Sequence, residues 1–213
     1  LDYLIENDYA KNIKLEYNTN LSTLKYKKRD LFDIWKHFKH VEIRASVDTY
    51  GEYAEYTRYG TVWNDIITNW KRVLEHPNII IRPQITVTTL TIGRLPEFLD
   101  ILTDELDCKL DLHRHINGIT FNMVTNPEGF NIQNLPDEIK DAYIEKLNTY
   151  CKKGNKLTTP FVETCISFMK EKSANHTEFL NRLGILTVLD VKRNKNWEKL
   201  WPEFVPYFYG DKE

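Results

Sequence analysis

Polar and apolar positions alternate with a period of two in three stretches of this chain, and each stretch keeps one fully polar side. In IKLEYNTN, Ile13, Leu15, Tyr17 and Thr19 face one way and Lys14, Glu16, Asn18 and Asn20 the other. In VEIRASVD, Val41, Ile43, Ala45 and Val47 alternate with Glu42, Arg44, Ser46 and Asp48. IIIRPQITVTT sets Ile79, Ile81, Ile85 and Val87 against Arg82, Gln84 and Thr86. Pro83 within it marks a bulge or an edge, because proline cannot donate to a ladder. Helical stripes run between these strands: residues 1 to 11, about 27 to 38 (Leu31, Ile34, Trp35, Phe38), about 61 to 75 (Trp63, Ile66, Ile67, Trp70, Leu74), and Leu95 to Leu102. Two shorter strand candidates follow, CKLDLH and ITFNMV. At Asn126-Pro127-Glu128-Gly129 a turn opens a run of helices over about 136–152, 160–172 and 176–189. Trp197, Trp201, Phe204 and Phe208 are too many aromatics for a free tail, and are predicted to fold back onto what precedes them.

Strand and helix in alternation predict parallel βαβ units, since strands joined through a covering helix cross over right-handed. Parallel strands buried on both faces would read as continuous apolar runs, and these do not. The expected fold is therefore α/β: an incomplete parallel (βα) partial TIM barrel over residues 1–125, with a hydrated lumen, followed by a helical C-terminal extension over 126–213. An open sheet with one solvated face is the alternative. In the barrel reading Glu16, Asn18, Arg44, Ser46, Arg82 and Gln84 converge on that lumen, while Leu15, Ile43 and Ile81 pack under helices. The strand at 13–19 then lies at an edge. Ser46, Asp48 and Arg58 fall at the carboxyl end of the second strand and in its following loop, where such folds keep their ligands.

Composition narrows the classes. A net charge of −2 with 28% charged residues is no electrostatic footprint for nucleic acid. No apolar run approaches the roughly 20 residues that span a bilayer, and no signal-peptide pattern heads the chain, so a cytoplasmic protein is expected. Cys108, Cys151 and Cys165 are too dispersed for a metal knuckle or a disulfide framework and read as small buried side chains. His113 and His115 could share a metal, but no third ligand stands nearby, so a polar strand end is the simpler reading. Asp104, Glu105 and Asp107 read as solvated at a helix end, and Lys25, Lys27, Lys28 and Arg29 as a solvated helix start. Tyr50, Tyr53, Tyr56 and Tyr59 recur every three residues, which suits packing better than stacking on a ligand.

A strand ending in Asn18-Thr19-Asn20, a strand ending in Ser46-Val47-Asp48, an Arg58-x-Gly60 before a helix, and a strand of the Ile-x-Ile-x-x-x-Val type resemble, in that order, the radical S-adenosylmethionine enzymes. The similarity is greatest to the subgroup with a shortened twitch-type extension. It covers about residues 1–125 and, more loosely, the tail segment LTVLDVKRNKNWEKLWPEF. The resemblance implies a partial barrel that binds a [4Fe–4S] cluster through three cysteines and S-adenosylmethionine through the fourth iron. It implies cleavage of the sulfonium to a 5′-deoxyadenosyl radical, which abstracts hydrogen from a substrate, here expected to be a peptide. Position by position, Ser46 resembles the hydroxyl that bonds the methionine end of the cofactor, and Arg58 the arginine that pairs with its carboxylate. Asn18, Thr19 and Asn20 match the lumen end of a family strand, close to cofactor or substrate, and Asp48, at the end of its own strand, is counted with the cofactor-binding residues. The family's C-x-x-x-C-x-x-C loop and Gly-Gly-Glu segment are not in the sequence. The chain, which starts at Leu1 inside a helical pattern, is accordingly expected to be the back portion of an enzyme whose cluster ligands lie upstream. Without the resemblance, a non-catalytic α/β module that binds some other small ligand or a partner accounts for the same residues.

Overall fold

The computed structural model describes residues 1–106, 118–156, 158–171 and 175–210. A short helix α1 (Asp2–Glu6) leads into β1 (Lys14–Thr19), and a two-strand hairpin of β2 (Lys25–Tyr26) and β3 (Arg29–Asp30) precedes α2 (Phe32–Trp35). Then come β4 (His40–Ser46), α3 (Gly51–Thr57), α4 (Trp63–Leu74), β5 (Ile79–Val87), α5 (Leu95–Asp100) and β6 (Thr120–Met123). The remainder is helical: α6 (Asp137–Cys151), α7 (Thr159–Lys170), α8 (His176–Arg193), α9 (Trp197–Leu200) and α10 (Val205–Tyr209).

The protein is α/β. The main sheet has the order β1-β4-β5-β6 with every pair parallel, so spatial order follows chain order. Right-handed crossovers in that order all return on the same side, which puts the connecting helices over one face. Burial agrees: Val41, Ile43, Ala45, Ile85 and Val87 are closed off, together with Trp35, Phe38, Trp70 and Phe98 from the connections. Register carries the other face. Glu16 pairs with Glu42, Asn18 with Arg44 and then Arg82, and Ser46 with Gln84 and then Thr120. The six residues expected to converge on a lumen lie on one face of this sheet, and β1 is at the sheet edge with β4 as its partner among the described residues. Pro83 sits in β5 without a bulge. Pairing with β6 starts only at Gln84, so the proline falls where one side of β5 has no strand neighbour among the described residues.

Two elements differ from expectation. The helix expected over 27–38 shrinks to Phe32–Trp35, because Lys25 to Asp30 form a hairpin with Lys27 in the left-handed region at φ 55°. Its basic residues therefore do not open a helix, and Arg29 instead pairs with Asp2 at 2.6 Å. The segment after β4, read as a loop, contains α3, started by Gly51 at φ 55°, a conformation glycine adopts without strain. CKLDLH, with Cys108 and the His113 and His115 pair, and Asp107 lie outside the described residues.

The aromatic tail folds back as expected. Trp197, Trp201 and Phe204 are buried in the same apolar cluster that begins at Ala10. No helix among the described residues is long and apolar enough to cross a membrane.

Candidate functional site

The carboxyl end of β4 is built around one carboxylate. Asp48 Oδ2 accepts from Arg58 Nε at 2.7 Å and its Oδ1 from the backbone N–H of Thr86 at 2.8 Å. A single side chain thereby ties the loop after β4, the end of α3 and the last turn of β5. Arg58, at the C-cap of α3, is anchored through Nε only, so the outer nitrogens of its guanidinium are uncommitted among the described residues. The Ser46 hydroxyl, half-buried on the polar face two residues earlier, likewise has no hydrogen-bond partner there.

Beside Asp48 lies a cavity of about 320 Å³. Its sheet-side wall comes from Thr86, Thr88, Leu90 and Thr91, and α3 adds Tyr56 and Thr57. The opposite wall is α8, which contributes Arg182, Leu186, Leu189 and Arg193, with Phe130 beneath. Positions 182, 186, 189 and 193 follow the i, i+4, i+7, i+11 spacing of one helical face. Asp190 on α8, buried, accepts from Tyr56 Oη at 2.7 Å and from the Trp197 N–H at 2.6 Å, pinning this helix to α3 and to the tail. The Asp190 carboxylate and burial both disfavour the phenolate, so burial first and that hydrogen bond second push the Tyr56 pKa well up. Gly129 lets α8 come close: a Cβ there would lie 2.5 Å from Glu178 O and 2.6 Å from Arg182 Cβ.

At the amino half of the same sheet face sits a charge cluster. Glu42, 3% exposed, receives Lys14 at 2.8 Å, Arg82 at 3.1 Å and Arg44 at 3.8 Å, while Glu16 receives Lys14 at 3.0 Å and Arg44 at 3.3 Å. Burial alone would raise the Glu42 pKa, but the Lys14 hydrogen bond and the charges of Arg82, Lys14 and Arg44 outweigh it and hold the carboxyl below the ordinary value.

The residues predicted from sequence divide. Ser46, Asp48 and Arg58 gather at the end of β4, and Asn18 lies exposed on the same face beside Arg44. Thr19 and Asn20 serve the turn that follows β1. Thr19 Oγ1 accepts from the Leu21 N–H at 3.1 Å, and Asn20 Oδ1 from the Ser22 N–H at 3.1 Å and the Ser22 hydroxyl at 2.7 Å. They fix buried Leu21 at φ 58°, an uncommon conformation for a bulky residue, and Asn69 Nδ2 completes the hold on the Leu21 carbonyl at 2.8 Å. Tyr53 and Tyr56 pack on Trp201, so the tyrosine repeat is packing in its middle members. Arg182, Arg193 and Phe130 escaped sequence reasoning. Arg193 lies beyond the expected helix end at 189, although Asn194, left-handed at φ 50°, and the preceding basic pair are recognisable stop signals.

The described cysteines do not form a cluster-binding set. Cys151 is on α6 and half-buried, and Cys165 is fully buried on α7, where burial pushes its thiol up to about 12. Among the described residues no group of three or more histidine, cysteine or acidic side chains could hold a metal ion. Reconstitution of the chain with iron and sulfide under anaerobic conditions is therefore expected to leave it without a stoichiometric [4Fe–4S] cluster. A stable visible absorption band that disappears on substitution of Cys108, Cys151 or Cys165 would contradict this. No protein-family model, no curated protein and no solved structure matches the chain.

Proposed function

We propose that this chain is part of a radical S-adenosylmethionine enzyme of the twitch-type subgroup, its sheet forming later strands of a partial (βα) barrel. The observation that carries the reading is the Asp48–Arg58 pair at the carboxyl end of β4, which presents a guanidinium with free outer nitrogens beside the uncommitted Ser46 hydroxyl. That donor set suits the zwitterionic methionine end of S-adenosylmethionine. Arg58 would pair with the carboxylate, Ser46 would bond the same end, and Asp48 would hold the arginine in place. The bound cofactor and its [4Fe–4S] cluster would supply reductive cleavage of the sulfonium and hydrogen abstraction, with a peptide as the expected substrate. The described residues do not fit the cluster, which is not assigned to them.

Calorimetric titration with S-adenosylmethionine tests this. Losing a charge-assisted hydrogen bond is worth about 1.5–3 kcal/mol, so Arg58→Lys should bind about tenfold or more weakly. Ser46→Ala should lose a smaller factor, and both variants should keep the parent's circular dichroism. Unchanged affinity in both would sink the assignment. A non-catalytic small-ligand module draws on the neighbouring cavity beside Asp48, and predicts binding there that ignores Arg58 and Ser46.

A further inference from the structure

We propose that the cavity under α8 binds the anionic group of a small molecule, a phosphate or a carboxylate, with Arg182 as its inner anchor and Arg193 at its rim. This stands whether or not the cofactor reading does. Among the described residues there are eight arginines, and six of them, Arg29, Arg44, Arg58, Arg72, Arg82 and Arg94, lie within 4.0 Å of a carboxylate. Arg182 and Arg193 are the two without such a partner there, and both line this one cavity.

Each has an aromatic ring beside it instead. The Arg182 guanidinium lies 4.6 Å from the Phe130 ring and that of Arg193 4.9 Å from Tyr59. Tyr59 is exposed, which places Arg193 outermost. Arg182 Nε is shut off from solvent with no hydrogen-bond partner among the described residues. It packs toward Gly129, so an entering anion meets the outer guanidinium nitrogens, which have no hydrogen-bond partner among the described residues either. Asp48, which lines the cavity, and Asp190 on α8 already have partners. Asp48 is engaged by Arg58 and the Thr86 N–H, and Asp190 by Tyr56 and the Trp197 N–H. The balance of the lining is thus cationic, with Leu186, Leu189 and Leu90 offering an apolar bed for the rest of the ligand. A volume of about 320 Å³ is that of a small-molecule site.

The test is calorimetry on the full chain at low salt with inorganic phosphate, glycerol 3-phosphate and glutarate. One-to-one binding of the phosphate compounds alone identifies a phosphate ester site, and of glutarate alone a carboxylate site. Arg182→Gln should weaken whichever binds about tenfold or more, Arg193→Gln several-fold, and the exposed neighbour Lys192→Gln not at all. Should Arg182→Gln fail to fold by circular dichroism, Arg193→Gln against Lys192→Gln decides. No saturable binding by any of the three compounds, or parental affinity in the folded arginine variants, overturns the proposal.

Discussion

Replacing Trp201 by alanine is expected to destabilise the protein by about 3–5 kcal/mol, the range for truncating a buried tryptophan. The side chain is 1% exposed and packs edge-on against Tyr53 and Tyr56, with ring centroids 5.5 and 5.1 Å away. Its Nε1 donates to the Leu90 carbonyl at 2.8 Å. Both Tyr56 and Leu90 line the cavity, so the loss reaches the site: the variant should bind ligands there more weakly as well as unfold at lower urea. Trp201→Phe separates the two contributions. It keeps most of the ring packing but leaves Leu90 O without its donor, which is worth about 1–3 kcal/mol. Urea denaturation followed by circular dichroism measures both variants. A loss below about 1 kcal/mol for alanine would mean that the tail does not dock on α3 and the loop after β5 as described.

The second large effect lies at Glu42. Glu42→Gln removes the buried charge on which Lys14, Arg44 and Arg82 converge, while Lys14 and Arg44 keep Glu16. Breaking a buried pair costs about 3–5 kcal/mol, and the low end is expected because Lys14 and Arg44 remain almost half in water. The sign of the pH dependence follows from the depressed carboxyl. A folded-state pKa below the unfolded one contributes stability that is fully present above the ordinary value of 4.5 and is lost as pH falls through the folded value. The gap between parent and Glu42→Gln should therefore be widest near neutrality and close on acidification. A gap that is constant from neutral to acid pH would assign the loss to shape instead of charge.

The same cluster shows how far the sequence could be read. Period two in the strands was legible because one side stays polar at every step, which fixed which face each residue would take. Alternation does not say which polar residues find one another. Glu42 looked no different from Glu16, yet it is the buried hub, because it lies on a central strand with cations on both sides. Ser46, Asp48 and Arg58 were legible as strand-end residues. Their grouping depends on Asp48 reaching Thr86 across 38 positions of sequence, and the cavity depends on Tyr56 reaching Asp190 across 134. Local pattern carries no information about such contacts. Thr19 and Asn20, polar at a strand end, looked the same as ligand-binding residues, but short side chains that can bond the backbone two residues on are drawn into turns. Helix α8 was legible as a helix and not as a wall, because its Arg-Leu-Leu-Arg face acquires meaning only from what it covers.

The most direct measurement of the central claim is a crystal structure of this chain grown with S-adenosylhomocysteine, which carries the same amino-acid end as the cofactor. The account predicts its carboxylate within hydrogen-bonding distance of the outer nitrogens of Arg58, with the Ser46 hydroxyl at the same end of the ligand and the Asp48–Arg58 pair intact. Density for the ligand bound away from Arg58 and Ser46, or none at saturating ligand, would contradict it.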